Sequence, residues 1–182
     1  MTRSFGVRLE SFDDIAEAAS AHATRLGEQL RKRNLITSAI SVFCRTSPFS
    51  NKPFYKGIGI TGFETPTNDT QTLIKGAIQA LQQAYQPGHS FQSAGIHAMD
   101  LLPEGSASQK HLFTNQPAQQ IITPNNTLRS IALKQAIDAV NQRHGKDTVF
   151  WASTGIKPHH ATRQNRRSKR YTTKWDELMI VK

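Results

Sequence analysis

The sequence predicts an α+β protein in which two helices cover one face of a sheet, followed by a flexible linker and a small helical or mixed C-terminal domain. Three observations support this prediction. Segments of helical and of strand period alternate over residues 1–102, small and polar residues dominate 103–126, and a further helical pattern opens 127–182. No predicted element covers the second face of the sheet, which is therefore available for binding.

The first helix is predicted over residues 11–34, where apolar side chains recur at steps of three and four. Ser11 stands in an N-cap position and Asn34 can terminate the helix. The short SFGV segment before it is a candidate for pairing with the sheet. Residues 36–45 then alternate as a strand, which places Ile40, Val42 and Cys44 on the side that faces the helices.

A second strand is predicted over residues 56–64, where three glycines would let another backbone approach closely. Asn68 or Asp69 then caps a helix that ends at Pro87 and Gly88. A long strand follows over 91–102. In the C-terminal region, a helix is predicted to begin near Asn126 and to end at Gly145, and the segment TVFWAST is predicted to form a short strand.

The chain is strongly basic, with a formal net charge of +10 and a sequence pI near 10.1. A phosphate backbone or another anionic surface would attract it, although a ribosomal or RNA-binding protein would have a similar composition. Cys44 is the single cysteine, so no intramolecular disulfide can form, and it is predicted to be a core residue. Because neither a signal peptide nor a membrane-spanning apolar stretch is found, we expect a cytoplasmic protein without a membrane partner.

No motif for independent catalysis is found in the sequence. A nucleotide-binding glycine loop, a nucleophile elbow and a metal-spaced set of cysteines and histidines are all absent, and the pair His159–His160 lacks a third ligand at useful spacing. The sequence therefore favours a binding protein over an enzyme and predicts no cofactor in this chain.

Several segments occur in an order that resembles the C-terminal part of bacterial Y-family DNA polymerases of the UmuC type. The segments TRSFG, AISVFCRTSPFSNKPFY and FQSAGIHAMDLLPEG are similar to the little-finger domain of that family. The segments SQKHLF, GKDTVFWASTGI and RYTT with the later WDEL look like the region that follows the little finger. The resemblance covers nearly the whole chain and implies a little-finger domain in 1–102, a linker with a clamp-binding motif in 103–126 and a UmuC-type C-terminal domain in 127–182.

This resemblance implies a role in translesion synthesis and DNA repair during the SOS response, with the little finger in the major groove beside the primer-template. The palm, fingers and thumb, with their metal-binding carboxylates, would precede residue 1. We therefore expect no polymerase activity from this chain alone, and Mg²⁺ would belong to the absent core. The chain is either a piece of a longer polymerase or a free-standing remnant.

The open face of the sheet is the predicted DNA-binding surface. Its hydroxyl, amide and cationic side chains suit phosphate oxygens, and such contacts position a duplex without reading its sequence. The alternative is an ordinary solvated sheet face. The residues predicted to line the surface are Ser41, Arg45, Lys56, Thr61, Gln92 and His97.

The linker carries an unexpected apolar pair, Leu112 and Phe113, among small and polar residues. With Gln109, this pair resembles the Gln-Leu-Ser/Asp-Leu-Phe peptide with which bacterial polymerases hold the sliding clamp. Burial of the two side chains would supply roughly 1.5 to 3 kcal/mol each before ordering costs, and the glutamine would add hydrogen bonds, so we expect binding of about micromolar strength. The alternative is that the pair anchors the linker to its own domain.

Other partners and functions stay open. The resemblance suggests the UmuD′ dimer and RecA as partners of residues 127–182, without assigning residues. The basic run 163–174 could contact DNA, bind an acidic partner or be solvated. Two alternatives for the whole chain are a basic RNA- or ribosome-associated binding protein and a protein-interaction module whose positive charge serves solubility.

Overall fold

The computed structural model describes residues 1–50, 53–106, 124–156, 160 and 168–178. Within these ranges the chain forms four strands, three helices and two short 3₁₀ turns. In chain order they are β1 (Thr2–Leu9), α1 (Phe12–Lys32), β2 (Leu35–Thr46), β3 (Lys56–Thr67), α2 (Thr70–Ala84), β4 (Phe91–Pro103), α3 (Pro124–His144) and the 3₁₀ turns Ala152–Thr154 and Trp175–Glu177. No helix in the described ranges is both long enough and apolar enough to cross a membrane.

The four strands form one antiparallel sheet in the order β1-β4-β2-β3. Helices α1 and α2 pack against each other and against one face of this sheet. The predicted α+β class is confirmed, including the pairing of the N-terminal segment, because β1 adds to the edge of β4. No described element of the chain packs on the opposite face of the sheet, which we call the open face.

Both helices of the helix layer begin at the side-chain caps that the sequence predicts. The Ser11 hydroxyl accepts a hydrogen bond from the Asp13 backbone N–H at 3.2 Å, and the Asp69 carboxylate accepts one from the Thr72 N–H at 2.9 Å. Asn34, with φ of 52°, follows the end of α1 in the left-handed conformation that asparagine tolerates. These local signals fix where the helices start and stop.

The core lies between the sheet and the helix layer. Ile40, Val42 and Cys44 of β2 are buried there, as predicted from their alternation. Burial raises the pKa of the Cys44 thiol to about 12, and its Sγ lies 3.4 Å from the carbonyl oxygen of Ala84. Cys44 is therefore an inert core residue, as expected.

Helix α2 lies directly on the glycines of β3. A Cβ atom on Gly57 would overlap the carbonyl oxygen of Ala84, and one on Gly59 would overlap that of Ala80. The prediction that these glycines admit another backbone is confirmed, and the backbone in question is that of α2. A Cβ atom on Gly62 would meet no atom of the described residues within 4 Å, so Gly62 does not share this role.

The C-terminal region packs on the outer side of the helix layer through charged contacts. Arg31 of α1 forms two hydrogen bonds with the carboxylate of Asp138, at 2.6 and 2.8 Å, and Lys134 of α3 lies 3.0 Å from Asp69. The remaining guanidinium nitrogen of Arg31 donates to Asn68 and Thr70. Helix α3 begins at Pro124, inside the segment that the sequence predicts as linker.

The prediction of a strand over the segment TVFWAST is wrong. The side-chain amide of Asn141 on α3 accepts from the Val149 N–H at 2.8 Å and donates to the Val149 carbonyl at 2.9 Å. Trp151 then packs against the core, and residues Ala152–Thr154 form a 3₁₀ turn. The Asn141 side chain thus forms hydrogen bonds with the Val149 backbone groups that would otherwise bond to a neighbouring strand.

Candidate nucleic-acid interface

The open face of the sheet is organised in rows that cross the strands, because residues opposite each other in adjacent strands share a face. The first row, which we call the basic row, consists of Lys56, Arg45 and Ser93 on β3, β2 and β4. The next row contains Ile58, Phe43 and Gly95, and the third contains Ile60, Ser41 and His97. None of these nine residues is acidic.

The basic row presents two cations side by side at the hairpin end of the sheet. Arg45 and Lys56 are register partners and both are exposed. The Arg45 Nε donates to the Ser93 hydroxyl at 2.8 Å, which holds the guanidinium along the sheet surface. The Lys56 ammonium lies 5.9 Å from the centroid of the Phe43 ring, within cation–π range. Both charges are therefore oriented across the face.

Phe43 forms the centre of this face, and the sequence prediction missed it. Its ring lies over Gly95, where a Cβ atom would overlap it, and it stacks on His97 with centroids 5.5 Å apart and an interplanar angle of 21°. Only 8% of Phe43 is exposed. The missed signal is its position two residues from both Ser41 and Arg45, which puts all three on one face.

The structure brings together four of the six residues predicted for the surface. Ser41, Arg45, Lys56 and His97 all lie on the open face, in the rows defined above. The face is also more apolar than predicted. Ile58 and Ile60, which stand next to Phe43 and Ser41, are each about half exposed.

The placement of Thr61 on the open face is wrong. Thr61 is the register partner of Ile40, which is fully buried, so it faces the helix layer. Its hydroxyl oxygen is buried, and no hydrogen-bond partner for it is found among the described residues. The physical reason is the two-residue period of a strand, since Lys56 and Thr61 are an odd number of positions apart and cannot share a face in a regular strand.

Gln92 lies at an irregularity of the sheet. The register between β2 and β4 shifts between Arg45 and Thr46, and Gln92 has no register partner on β2. Such a shift ends simple alternation, because two residues of one strand then oppose one of its neighbour. Gln92 is half-buried beside the basic row, not fully part of it.

The remaining predicted binding residues, Gln109, Leu112 and Phe113, lie outside the described residues. Of the basic run, residues 168–174 are described. There Arg170 and Lys174 pair with Glu177, at 3.9 and 3.5 Å, and the hydrogen bond from the Arg170 backbone N–H lowers the pKa of the Glu177 carboxyl. This part of the run is thus partly neutralised. Across the described ranges, no three histidine, cysteine or acidic side chains are grouped so that they could hold a metal ion.

Two family models match the chain. Residues 1–112 match the "impB/mucB/samB family C-terminal domain", and residues 132–181 match a family described as "Domain of unknown function (DUF4113)". The first match covers the sheet, the helix layer and the open face. The second covers most of α3 and the segments after it.

Several curated proteins are similar to the chain over its whole length. Protein UmuC of Salmonella typhimurium is 31% identical over 182 residues, Protein SamB of Salmonella typhimurium 33% over 183, and Protein MucB of Escherichia coli 33% over 182. The alignments cover 100% of this chain but only 41%, 41% and 40% of the relatives. The chain thus spans about two fifths of their length and corresponds to their C-terminal part.

Proposed function

The chain belongs to the impB/mucB/samB family, as the C-terminal part of a UmuC-like protein, and from this premise we propose that it is the non-catalytic, DNA-binding region of an error-prone Y-family polymerase. In this proposal the open sheet face holds the primer-template and the linker tethers the polymerase to the sliding clamp. The role would be translesion synthesis and DNA repair in the SOS response, in the bacterial cytoplasm. Catalysis and its Mg²⁺ ions would belong to the part of the relatives that this chain does not match.

The observation that carries the DNA proposal is the basic row. Arg45 and Lys56 stand side by side on the sheet face away from the helix layer, and Ser93 orients the guanidinium. Cations placed in this way suit phosphate oxygens. Contacts of this kind position a duplex whatever its sequence, which a lesion-bypass polymerase requires.

We expect the full chain to bind a primer-template duplex with an affinity that falls as salt rises. Two phosphate contacts from Arg45 and Lys56 would release about two counterions, so the affinity should fall at least about tenfold between 50 and 200 mM salt. Fluorescence anisotropy with labelled duplexes of two unrelated sequences measures this. Both duplexes should bind equally well.

The same titration separates the alternatives. Tighter binding to a structured RNA hairpin than to the duplex would favour an RNA-associated protein. Salt-independent affinity, or no duplex binding at all, would contradict the proposal and leave a protein-interaction module. A fragment that ends before the basic run 163–174 tests whether that run takes part in DNA binding.

The proposed clamp tether rests on the resemblance of Gln109, Leu112 and Phe113 to a clamp-binding peptide. Its place in the chain supports this, because the peptide falls between the end of β4 at Pro103 and the start of α3 at Pro124. In such peptides the glutamine forms hydrogen bonds and the apolar pair fills a hydrophobic cleft. A weak tether suits a polymerase that must dissociate from the clamp once the lesion has been copied.

We expect micromolar binding of the chain to the bacterial sliding clamp, measured by calorimetry at moderate salt, and at least a tenfold loss in the double variant Leu112→Ala, Phe113→Ala. A matched control in the same segment is Gln119→Ala, Gln120→Ala, which should bind like the parent. Equal affinity of the parent and the Leu112/Phe113 variant would contradict the tether and leave these side chains as anchors on their own domain.

The UmuD′ dimer and RecA are proposed as partners of the C-terminal region. The supporting observation is that Trp175 and Ile156 are each exposed by more than four fifths. Large apolar side chains exposed in this way suit contact with another protein.

A further inference from the structure

The hairpin between β2 and β3 carries two exposed phenyl rings. Its sequence contains two Pro-Phe steps, Pro48-Phe49 and Pro53-Phe54. Phe49 is 93% exposed and Phe54 is 55% exposed, whereas Tyr55, the next residue, packs against the core. The hairpin therefore turns one aromatic side chain inward and two outward.

The base of this hairpin is firmly held. Thr46 and Tyr55 exchange hydrogen bonds at 2.9 Å, from the Thr46 N–H to the Tyr55 carbonyl and from the Tyr55 N–H to the Thr46 hydroxyl. The Tyr55 hydroxyl also donates to the Ala84 carbonyl of α2 at 2.9 Å, and its ring stacks on His89. Prolines before both phenylalanines further restrict the backbone. An anchored base lowers the entropy cost of ordering the hairpin on a ligand.

The hairpin that carries the two rings adjoins the basic row along the chain. Arg45 precedes Thr46 and Lys56 follows Tyr55, so the cations are the last residues of the open face before the hairpin. A ligand that suits both features must combine negative charge with flat apolar faces. Unpaired nucleotides combine them, because each carries a phosphate and a base that stacks on aromatic rings.

We propose that Phe49 and Phe54 form a stacking site for the unpaired bases of single-stranded DNA, with Arg45 and Lys56 holding the adjoining phosphates. This inference rests on the proposed DNA-binding function and extends it from the duplex to the single strand next to it. The site would hold the unpaired overhang of a primer-template without regard to sequence, because every base has a stacking face.

The test compares the full chain with a Phe49→Ala, Phe54→Ala variant on two substrates at one salt concentration. On a primer-template with a single-stranded overhang, loss of stacking should weaken binding about tenfold or more. On a blunt duplex of the same sequence, the two proteins should bind equally. Phe150→Ala, which removes an exposed phenyl ring outside the open face and the hairpin, is the matched control and should change neither affinity.

A second arm replaces the overhang bases with abasic spacers that keep the phosphates. The parent should lose affinity on this substrate, whereas the alanine variant should not, and a Phe49→Trp, Phe54→Trp variant should behave like the parent. Equal affinity of the parent and the alanine variant for the overhang would overturn the inference and leave the rings as a protein contact. An equal loss on blunt duplex would also overturn it, because the rings would then contact the duplex and not the unpaired bases. Failure of the parent to bind blunt duplex would contradict the sheet-face proposal instead, and the overhang would still test the stacking site.

Discussion

Replacement of Gly59 with valine is expected to lower the free energy of unfolding by about 3 kcal/mol or more. A Cβ atom on Gly59 would overlap the carbonyl oxygen of Ala80, and this oxygen belongs to the backbone of α2. A helix backbone cannot rotate away as a side chain can, so α2 would have to separate from β3. The buried side chains of α2, among them Leu73 and Leu81, would then lose part of their packing.

The matched control is Gly62→Val in the same strand, since no atom of the described residues lies within 4 Å of a Cβ there. Valine suits an exposed strand position, and we expect the control to stay within about 1 kcal/mol of the parent. Urea unfolding followed by far-UV circular dichroism measures both variants. Equal midpoints for the two valine variants would show that α2 does not depend on a glycine at position 59.

The elements of the sheet unit were predictable because their signals are local. Ser11 and Asp69 cap their helices through hydrogen bonds that span two or three residues, and the alternation of Ile40, Val42 and Cys44 needs no knowledge of the neighbouring strands. Such signals act within one element. They predict the helices and strands, and with them the open face.

The predictions that failed have two different physical causes. The TVFWAST strand failed because Asn141, on a different element, takes the backbone groups of Val149. Thr61 failed for another reason, because strict alternation from Lys56 already places it on the helix side. The same rule separates Gln92 from His97, five positions away, and the register shift beside Gln92 then interrupts the alternation.

The candidate site also combines features that follow from one strand with features that depend on strand pairing. That Ser41 and Arg45 share a face follows from their spacing in β2. That Arg45 stands opposite Lys56, with Ser93 on the other side, follows only from the register of three strands. The ring of Phe43 over Gly95 likewise needs the pairing of β2 with β4. The residue types on the face were therefore predictable, but their grouping into a basic row was not.

The double variant Arg45→Gln, Lys56→Gln is expected to weaken duplex binding about 30-fold or more, if each cation contributes one charged contact of roughly 1 kcal/mol after allowance for its exposure. Glutamine keeps much of the length of both side chains and removes only their charge. The slope of log affinity against log salt should also become shallower by about 2, because two phosphates are no longer neutralised. Anisotropy titrations at several salt concentrations measure both quantities.

The control must lose the same charge elsewhere on the molecule. Lys32 of α1 and Lys75 of α2 are both exposed and belong to the helix layer, on the other side of the sheet. The variant Lys32→Gln, Lys75→Gln therefore lowers the net charge equally but leaves the basic row intact. If DNA is held by the open face, only the Arg45/Lys56 variant changes the salt slope. An equal effect of both variants would mean that net charge, and not this face, attracts the DNA.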